Sequence, residues 1–370
     1  TGEADTLNGL DGNDRLQGLG DNDLLNGGNG FDRAIYSDAT GGITVNLAAG
    51  TVTGAGVGSD TLTGVEGIVG SDFADTFNAA GFTGSTGLPG VMVGQSGFEG
   101  RGGDDVITGQ INALGQTATR VEYLSASAAV TVDLAAGTGQ GTAAGDVANV
   151  GHDTFTNALQ GVWGSAFNDT IYGSDNANFT FESFEGRGGD DLIDGRGGYD
   201  IVNYNNDTTT TSGITVNLAA GTVTGDATVG TDTIRNVEAV RGTNFNDTFD
   251  ATGYGLAGAL NVSTTNGNFN DFAGAGGNDT IIGNGNTRLN YQIALASVSV
   301  DLQTSAGTAI TVAGSATGAT EGTDTFTGVN AVQGSMFGDT LLGSSFNNTF
   351  TGLGGDDFID GRGGFDTASY

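Results

Sequence analysis

Aspartate recurs every nine residues at the start of the chain. Asp5, Asp14, Asp23 and Asp32 follow this spacing, and an apolar residue stands two positions after each of them. Glycine-rich stretches lead into these Asp residues, and the glycines that we assign to the turns are Gly9, Gly12, Gly18 and Gly27. Glycine reaches backbone conformations closed to other residues, and Ca²⁺ binds six to eight oxygens from carboxylates and backbone carbonyls. Because one turn cannot supply them all, the spacing predicts calcium sites between stacked turns.

The register of a glycine-rich turn followed by Asp, any residue and an apolar residue resembles the nonapeptide of the RTX (haemolysin-type) calcium-binding repeat. In that family two nonapeptides form one coil, and stacked turns share each ion. The resemblance therefore implies that Asp5 pairs with Asp23, and Asp14 with Asp32. A flexible linker rich in glycine and Asp would not keep leucine at a fixed offset.

Further glycine–Asp turns extend the metal prediction along the chain, most clearly at residues 5–36, 184–203 and 339–370. The ligands predicted beyond the first block are Asp105 with Gly100 and Gly102, Asp191 with Gly186 and Gly188, Asp200 with Gly195 and Gly197, Asp279, Asp339, Asn348, Asp357 with Gly352 and Gly354, and Asp366 with Gly361 and Gly363. Asn348 keeps an oxygen but lacks the charge, so we expect weaker binding there.

A second set of Asp residues precedes threonine and lacks the glycines. Two interpretations remain open for this set, metal binding or the capping of turns through local hydrogen bonds. Its members are Asp60, Asp75, Asp153, Asp169, Asp232, Asp247 and Asp324.

A longer repeat overlies the nonapeptide. The motif Val-Asn/Asp-Leu begins at Val45, Val132, Val216 and Val300, in steps of 87, 84 and 84 residues. We therefore predict one continuous solenoid with a nonapeptide block at 1–36 and four super-repeats at 37–110, 111–203, 204–287 and 288–370. Because residues 365–370 resemble residues 31–36, we expect the chain to be part of a longer repetitive array.

Short alternating segments such as Ile43–Leu47 indicate strands, and helix signals are nearly absent. The fold prediction is an all-β, right-handed parallel β-roll or β-solenoid. The halves between the glycine–Asp blocks are expected to be larger, less regular coils of the same solenoid. We interpret the irregular stretches 81–97 and 253–270 as surface loops, where unit-specific binding would lie.

Composition excludes several classes of partner. The net charge is −33, with 8 Glu among the 43 acidic residues and no lysine. Nucleic-acid binding needs a basic footprint, and an anionic membrane attracts polybasic segments; the chain has neither. No apolar run is long enough for membrane insertion, and the absence of cysteine excludes disulfides.

Enzyme chemistry is not supported by the sequence. His152 is the only histidine, in a slot that holds Ser or Thr in the other super-repeats, and we expect a tolerant surface position and no enzyme. The favoured function is an extracellular or cell-surface calcium-binding structural segment, such as a stalk, surface-layer, filament or adhesin part, with self-association through neighbouring repeats. The resemblance implies type I secretion and folding on Ca²⁺ binding outside the cell. The alternatives are an accessory module of a secreted enzyme, or a glycan- or matrix-binding module.

Overall fold

Every regular element of the described chain is a β-strand. The computed structural model describes residues 2–84, 95–111, 118–157, 159–175, 181–303, 313–318 and 321–370. Two compact units divide the chain, an N-terminal unit of residues 1–174 and a C-terminal unit of residues 175–370. No helix within the described ranges is long and apolar enough to cross a bilayer. The four super-repeat boundaries stay a prediction, and residues 85–94 of the expected loop at 81–97 lie outside the described residues.

The described residues of the N-terminal unit form seventeen short strands. They are β1 Thr6–Asp11, β2 Arg15–Leu16, β3 Leu24–Asn29, β4 Arg33–Ile35, β5 Ile43–Asn46, β6 Thr51–Gly54, β7 Gly58–Thr63, β8 Gly67–Val69, β9 Thr76–Asn78, β10 Ser96–Glu99, β11 Val106–Thr108, β12 Thr119–Glu122, β13 Val130–Asp133, β14 Thr138–Gly141, β15 His152–Thr156, β16 Gly161–Trp163 and β17 Thr170–Tyr172.

The C-terminal unit contains the remaining strands. They are β18 Phe181–Glu185, β19 Leu192–Asp194, β20 Tyr199–Asn203, β21 Thr215–Asn217, β22 Thr222–Thr224, β23 Thr231–Arg235, β24 Ala239–Arg241, β25 Thr248–Asp250, β26 Asn270–Ala273, β27 Thr280–Asn290, β28 Val298–Asp301, β29 Ala313–Gly318, β30 Gly322–Gln333, β31 Thr340–Leu342, β32 Thr349–Thr351, β33 Phe358–Asp360 and β34 Thr367–Ser369.

The strands of the N-terminal unit form two ladders. The first ladder runs in the order β1, β3, β7, β6, β5, β9, β11, β15, β14, β13, β17. The second runs β2, β4, β8, β10, β12, β16, entirely in parallel. Thr6 lies opposite Leu24, and Arg15 opposite Arg33, so two nonapeptides make one coil. The predicted parallel β-solenoid is confirmed.

The halves between the glycine–Asp blocks differ from the larger coils that the sequence predicts. Strand β5 pairs in parallel with the later strand β9 and antiparallel with β6. Strand β6 pairs antiparallel with β7, and β7 pairs in parallel with the earlier strand β3. Each such half is therefore a three-stranded zigzag inserted into the first ladder. The same arrangement recurs at β13–β15.

The turn that opens each zigzag explains the Val-Asn/Asp-Leu motif. The side-chain oxygen of Asn46 accepts the backbone N–H of Ala49 at 3.0 Å, and Gly50 ends the turn with φ of +63°. Asp133 and Asn217 accept the equivalent N–H groups at 2.9 Å. A short polar side chain that caps the turn is what the Asn or Asp provides.

The C-terminal unit repeats this plan. Its first ladder runs β19, β23, β22, β21, β25, β27, β30, β29, β28, β31, β33. Its second ladder runs β18, β20, β24, β26, β27, β30, β32, β34. Strands β27 and β30 belong to both ladders because they continue through the corner, where their register shifts between Ile282 and Thr287.

A thin apolar core lies between the two ladders. In the first ladder Val45, Phe77 and Ile107 stack in register and are fully buried. Phe77 of the first ladder meets Phe98 of the second with ring centroids 5.1 Å apart. One or two inward side chains per strand therefore fill the interior, and the polar turns at the corners are only a few residues away from them.

Candidate metal centres

The glycine-rich turns share an unusual backbone. We use the name glycine turn for the six residues that end at Asp in the order Gly, any residue, any residue, Gly or Asp, any residue, Asp. The residue four positions before the Asp has a left-handed φ between 61° and 82° in eight turns, at Leu10, Leu19, Arg101, Arg187, Arg196, Ala275, Leu353 and Arg362. Such a conformation costs roughly 1–2 kcal/mol for a residue with a side chain. Other interactions must therefore hold these turns in place.

The first glycine of each turn makes room for the Asp carboxylate. A Cβ atom at Gly100 would lie only 1.9 Å from Oδ2 of Asp105, and one at Gly186 only 2.0 Å from Oδ2 of Asp191. The same cradle, with distances of 1.8 to 2.6 Å, occurs at Gly9, Gly18, Gly27, Gly195, Gly274, Gly352 and Gly361. The carboxylate thus folds back over its own turn.

Oδ1 of most of these Asp residues connects neighbouring coils. The backbone N–H of Asp5 donates to Oδ1 of Asp23 at 2.7 Å, and that of Asp14 donates to Oδ1 of Asp32 at 2.7 Å. The structure therefore brings together both pairs that the resemblance implies. The other donors and acceptors in this column, at 2.8 to 3.1 Å, are Asp23 to Asp60, Asp75 to Asp105, Asp105 to Asp153, Asp191 to Asp232, Asp247 to Asp279, Asp279 to Asp324, Asp339 to Asp357 and Asn348 to Asp366.

Oδ2 remains buried without a hydrogen-bond partner in several glycine turns. The described residues with this property are Asp14, Asp23, Asp32, Asp105, Asp200 and Asp279. Burial raises the pKa of Asp105 to about 9, with a contribution from the charge of Asp153, and raises that of Asp279 to about 8. Burial and the charges of Glu182 and Glu238 raise the pKa of Asp200 to about 9. A bound cation would remove this cost, because it supplies the positive charge that each carboxylate lacks.

Backbone carbonyls complete the donor set. Among the described residues no group of three or more His, Cys, Asp or Glu side chains is placed to hold a metal ion. A Cβ at Gly9 would lie 2.5 Å from both Oδ2 of Asp14 and the carbonyl oxygen of Gly27, and one at Gly27 would lie 2.0 Å from the carbonyl oxygen of Gly64. One carboxylate oxygen and the backbone carbonyl oxygens of adjacent turns therefore point towards the same space. This all-oxygen set fits Ca²⁺.

The glycines three positions before the Asp do not touch the carboxylate. Gly102, Gly197, Gly354 and Gly363 have their closest Cβ neighbours on adjacent coils, at 3.1 to 3.5 Å. Gly12, which stands two positions before Asp14, meets nothing within 4 Å and is needed for its φ of +119°. Gly188 occupies the same turn position as Gly102. These glycines shape the turn, and their role as carbonyl ligands stays a prediction.

A different turn surrounds part of the Asp-Thr set. In these serine turns, which end at Asp75, Asp169, Asp247, Asp339 and Asn348, a Ser or Thr stands four positions before the acid or amide and a Phe two positions before it. Oδ2 of Asp75 accepts the backbone N–H of Ser71, and Oδ1 accepts its hydroxyl, both at 2.7 Å. Ser165, Thr243 and Ser335 bind their Asp in the same way.

Serine turns need neither the left-handed residue nor an outside ligand. None of the five Ser or Thr residues has a positive φ. The pKa of Asp247 is raised by burial, but only to about 6, because the N–H groups of Ile214 and Thr243 and the Thr243 hydroxyl stabilise the carboxylate. For Asp339 and Asn348, which the sequence analysis places among the metal ligands, the structure provides protein donors instead, from Ser335 and Ser344. Metal binding at Asp339 and Asn348 stays a prediction, and neither residue has a buried side-chain oxygen without a hydrogen-bond partner to support it.

Tyrosine hydroxyls occupy a third position that the sequence analysis missed. The hydroxyl of Tyr123 donates to Oδ2 of Asp153 at 2.8 Å, and Tyr204 and Tyr291 donate to Asp232 and Asp324 at 2.8 and 3.0 Å. Tyr36 occupies the equivalent position beside Asp60, where burial and the Asp60 charge raise the pKa of the phenol. Its hydroxyl and Oδ2 of Asp60 are both buried without a hydrogen-bond partner, so this pair does not share the contact of the other three. The signal was visible as a tyrosine nine to twelve residues before the valine of each Val-Asn/Asp-Leu motif.

Comparisons with known proteins agree with this geometry. The model of the RTX calcium-binding nonapeptide repeat matches four stretches, at residues 1–34, 162–181, 182–208 and 333–368. No curated protein matches the chain. The matched stretches cover less than half of the sequence, and they contain eight of the predicted ligands, from Asp5 to Asp32 in the first, Asp191 and Asp200 in the third, and Asp357 and Asp366 in the last, in addition to Asp339 and Asn348. These four stretches are therefore similar to RTX calcium-binding nonapeptide repeats, and repeats of that family bind Ca²⁺.

Proposed function

We propose that this chain is an extracellular structural segment whose solenoid is held together by calcium. One observation carries the proposal: buried carboxylate oxygens without protein partners, such as Oδ2 of Asp105 and Asp279, recur at the glycine turns. A folded chain with these groups ionised and no cation is costly. Extracellular calcium modules bind at about 10⁻⁴–10⁻³ M, so such a chain would fold outside a cell and stay unfolded in its cytosol.

A structural role, as in a stalk, surface layer, filament or adhesin, is supported by the lack of a catalytic arrangement around His152. This residue, the only histidine of the sequence, lies exposed on β15. Its backbone N–H donates to Oδ1 of Asp104 at 2.9 Å, which is a contact between coils. We propose that the chain associates with neighbouring repeats or with other copies of itself.

The calcium part of the proposal is tested by far-UV circular dichroism of the chain during titration with Ca²⁺ and then with chelator. We expect β-structure to appear at free calcium near 10⁻⁴–10⁻³ M and to disappear on chelation. Magnesium is the matched control, because it demands near-octahedral geometry and keeps its water. Full β-structure in chelator at neutral pH would refute the proposal.

The extracellular part needs a separate test. Protease treatment and antibody labelling of intact cells that express the chain should reach it at the surface or in the medium. Protection of the chain in intact cells, with digestion only after lysis, would overturn the location. Glycan binding by the loop at 253–270, where Leu256 and Leu260 are 66% and 72% exposed, stays a prediction for a glycan array.

A further inference from the structure

We infer that hydroxyl side chains divide the carboxylates of the first ladder into cation-requiring and cation-independent members. The inference rests on the proposed calcium-dependent folding and states which residues set the calcium requirement. Glycine turns require the cation, whereas serine turns and tyrosine-bound Asp residues do not.

The N-terminal unit shows the three kinds in direct succession. Asp75 is bound by the N–H and hydroxyl of Ser71 at 2.7 Å each. Its own N–H donates to Oδ1 of Asp105 at 2.8 Å, and the N–H of Asp105 donates to Oδ1 of Asp153 at 3.1 Å. The hydroxyl of Tyr123 donates to Oδ2 of Asp153 at 2.8 Å. Only Asp105, in the middle, keeps a buried oxygen without a hydrogen bond.

The C-terminal unit contains the same succession with different side chains. The N–H and hydroxyl of Thr243 bind Asp247 at 2.8 and 3.0 Å. The N–H of Asp247 donates to Asp279, and that of Asp279 to Asp324, at 2.8 and 3.0 Å. Tyr291 binds Asp324. Again the middle member, Asp279, is the one with a buried unpartnered oxygen.

The residue at the end of one serine turn also supports the division. This turn, which precedes β32 on the second ladder, ends in an amide, Asn348. There the N–H and hydroxyl of Ser344 donate to Oδ1 of Asn348 at 2.7 and 3.1 Å, which reproduces the serine-turn contacts without a negative charge. A turn that tolerates a neutral amide has no need of a cation. The hydroxyl therefore takes the part that Ca²⁺ plays in a glycine turn.

The consequence is that the chain binds far fewer ions than its acidic residues suggest. The number of ions taken up on folding is measurable, because each bound ion adds one to the slope of the logarithm of the folding constant against the logarithm of free calcium. The matched variants are Asp105→Asn and Asp75→Asn, which remove one charge each from adjacent coils. We expect the first to lower the slope by about one and the second to leave it unchanged.

A second pair of variants tests the hydroxyl itself. Thr243→Val removes it at nearly constant shape, and Thr243→Ser retains it. Since a hydrogen bond to a charged group is worth about tenfold or more in the folding constant, we expect a loss of about that size for Val at fixed calcium and none for Ser. Equilibrium dialysis with radioactive calcium, done on the folded full chain, gives the ion count without reference to stability.

The outcomes separate the inference from the calcium proposal. Equal loss of ions in Asp75→Asn and Asp105→Asn would overturn the division while calcium binding stands. Indistinguishable behaviour of Thr243→Val and Thr243→Ser would also overturn it. A parent chain that folds without taking up any ion would overturn both.

Discussion

Substitution of Asp105 by Asn should change the stability of the chain in opposite directions with and without calcium. Asn fits the space and keeps the oxygen that accepts the N–H of Asp75 at 2.8 Å, so shape and the coil contact are retained. In chelator at pH 7 the parent folds only if Asp105, whose pKa is raised to about 9, is protonated. Since the ordinary pKa of an Asp carboxyl is 3.8, protonating Asp105 at pH 7 costs up to about 4 kcal/mol, at about 1.36 kcal/mol per pKa unit.

With calcium the balance reverses, because the parent gains the ion and the variant does not. At calcium about ten times the dissociation constant, one site contributes about 1.4 kcal/mol. Urea denaturation at a series of free calcium concentrations should therefore show two stability lines that cross, with Asp105→Asn more stable in chelator and less stable at saturating calcium. Parallel lines, with the variant less stable throughout, would mean that Asp105 is only a structural acceptor and would refute the cation assignment.

Three further changes probe the same turn and its neighbours. Gly100→Ala places a Cβ 1.9 Å from the Asp105 carboxylate and should cost about 1–3 kcal/mol in urea denaturation, whereas Gly2→Ala, with nothing within 4 Å, should stay within about 0.5 kcal/mol; equal effects would contradict the cradle. Tyr123→Phe leaves Oδ2 of Asp153 without its donor and should cost about 1–3 kcal/mol both with and without calcium; rescue by calcium would show that Asp153 is a ligand. Without calcium, acid should favour folding, because the folded pKa of Asp105, about 9, exceeds its unfolded value. That contribution is complete below about pH 4 and is lost as pH rises through about 9; loss of circular dichroism on acidification in chelator would contradict it.

Short-range spacing made the calcium turns predictable from the sequence. Asp residues spaced by nine, each with a glycine five positions before it, already imply stacked turns. The glycine is required because a Cβ at Gly100 or its equivalents would collide with the Asp carboxylate. The pairing of Asp5 with Asp23, which the structure contains, was implied by the resemblance to RTX repeats. The glycine three positions before the Asp was the less informative signal, since Gly102 meets only the next coil.

The zigzags and the hydroxyl donors were not predictable in the same way. Strand β7 meets β3 across an intervening stretch of the chain that contains β5 and β6, and alternation of apolar residues in Ile43–Leu47 does not specify which neighbour a strand will have. The role of Ser71 depends on the sign of φ at one residue, which decides whether its N–H points at Asp75. Phe73, two positions before that Asp, is the more conspicuous residue in the sequence, although the hydroxyl of Ser71 binds the carboxylate.

The backward-running zigzag has a consequence for the order of assembly. Strand β5 is synthesised before β7 but lies beyond it, next to β9. If the N-terminus of the chain emerges first, the edge of β3 stays unpaired until β7, which ends at Thr63, has emerged. If the C-terminus emerges first, the edge of β9 stays unpaired until β5, which begins at Ile43, has emerged. At each zigzag the ladder can therefore lengthen only by three strands together, whichever end of the chain emerges first. Until all three strands are available, the exposed strand edge can pair wrongly with a neighbouring chain.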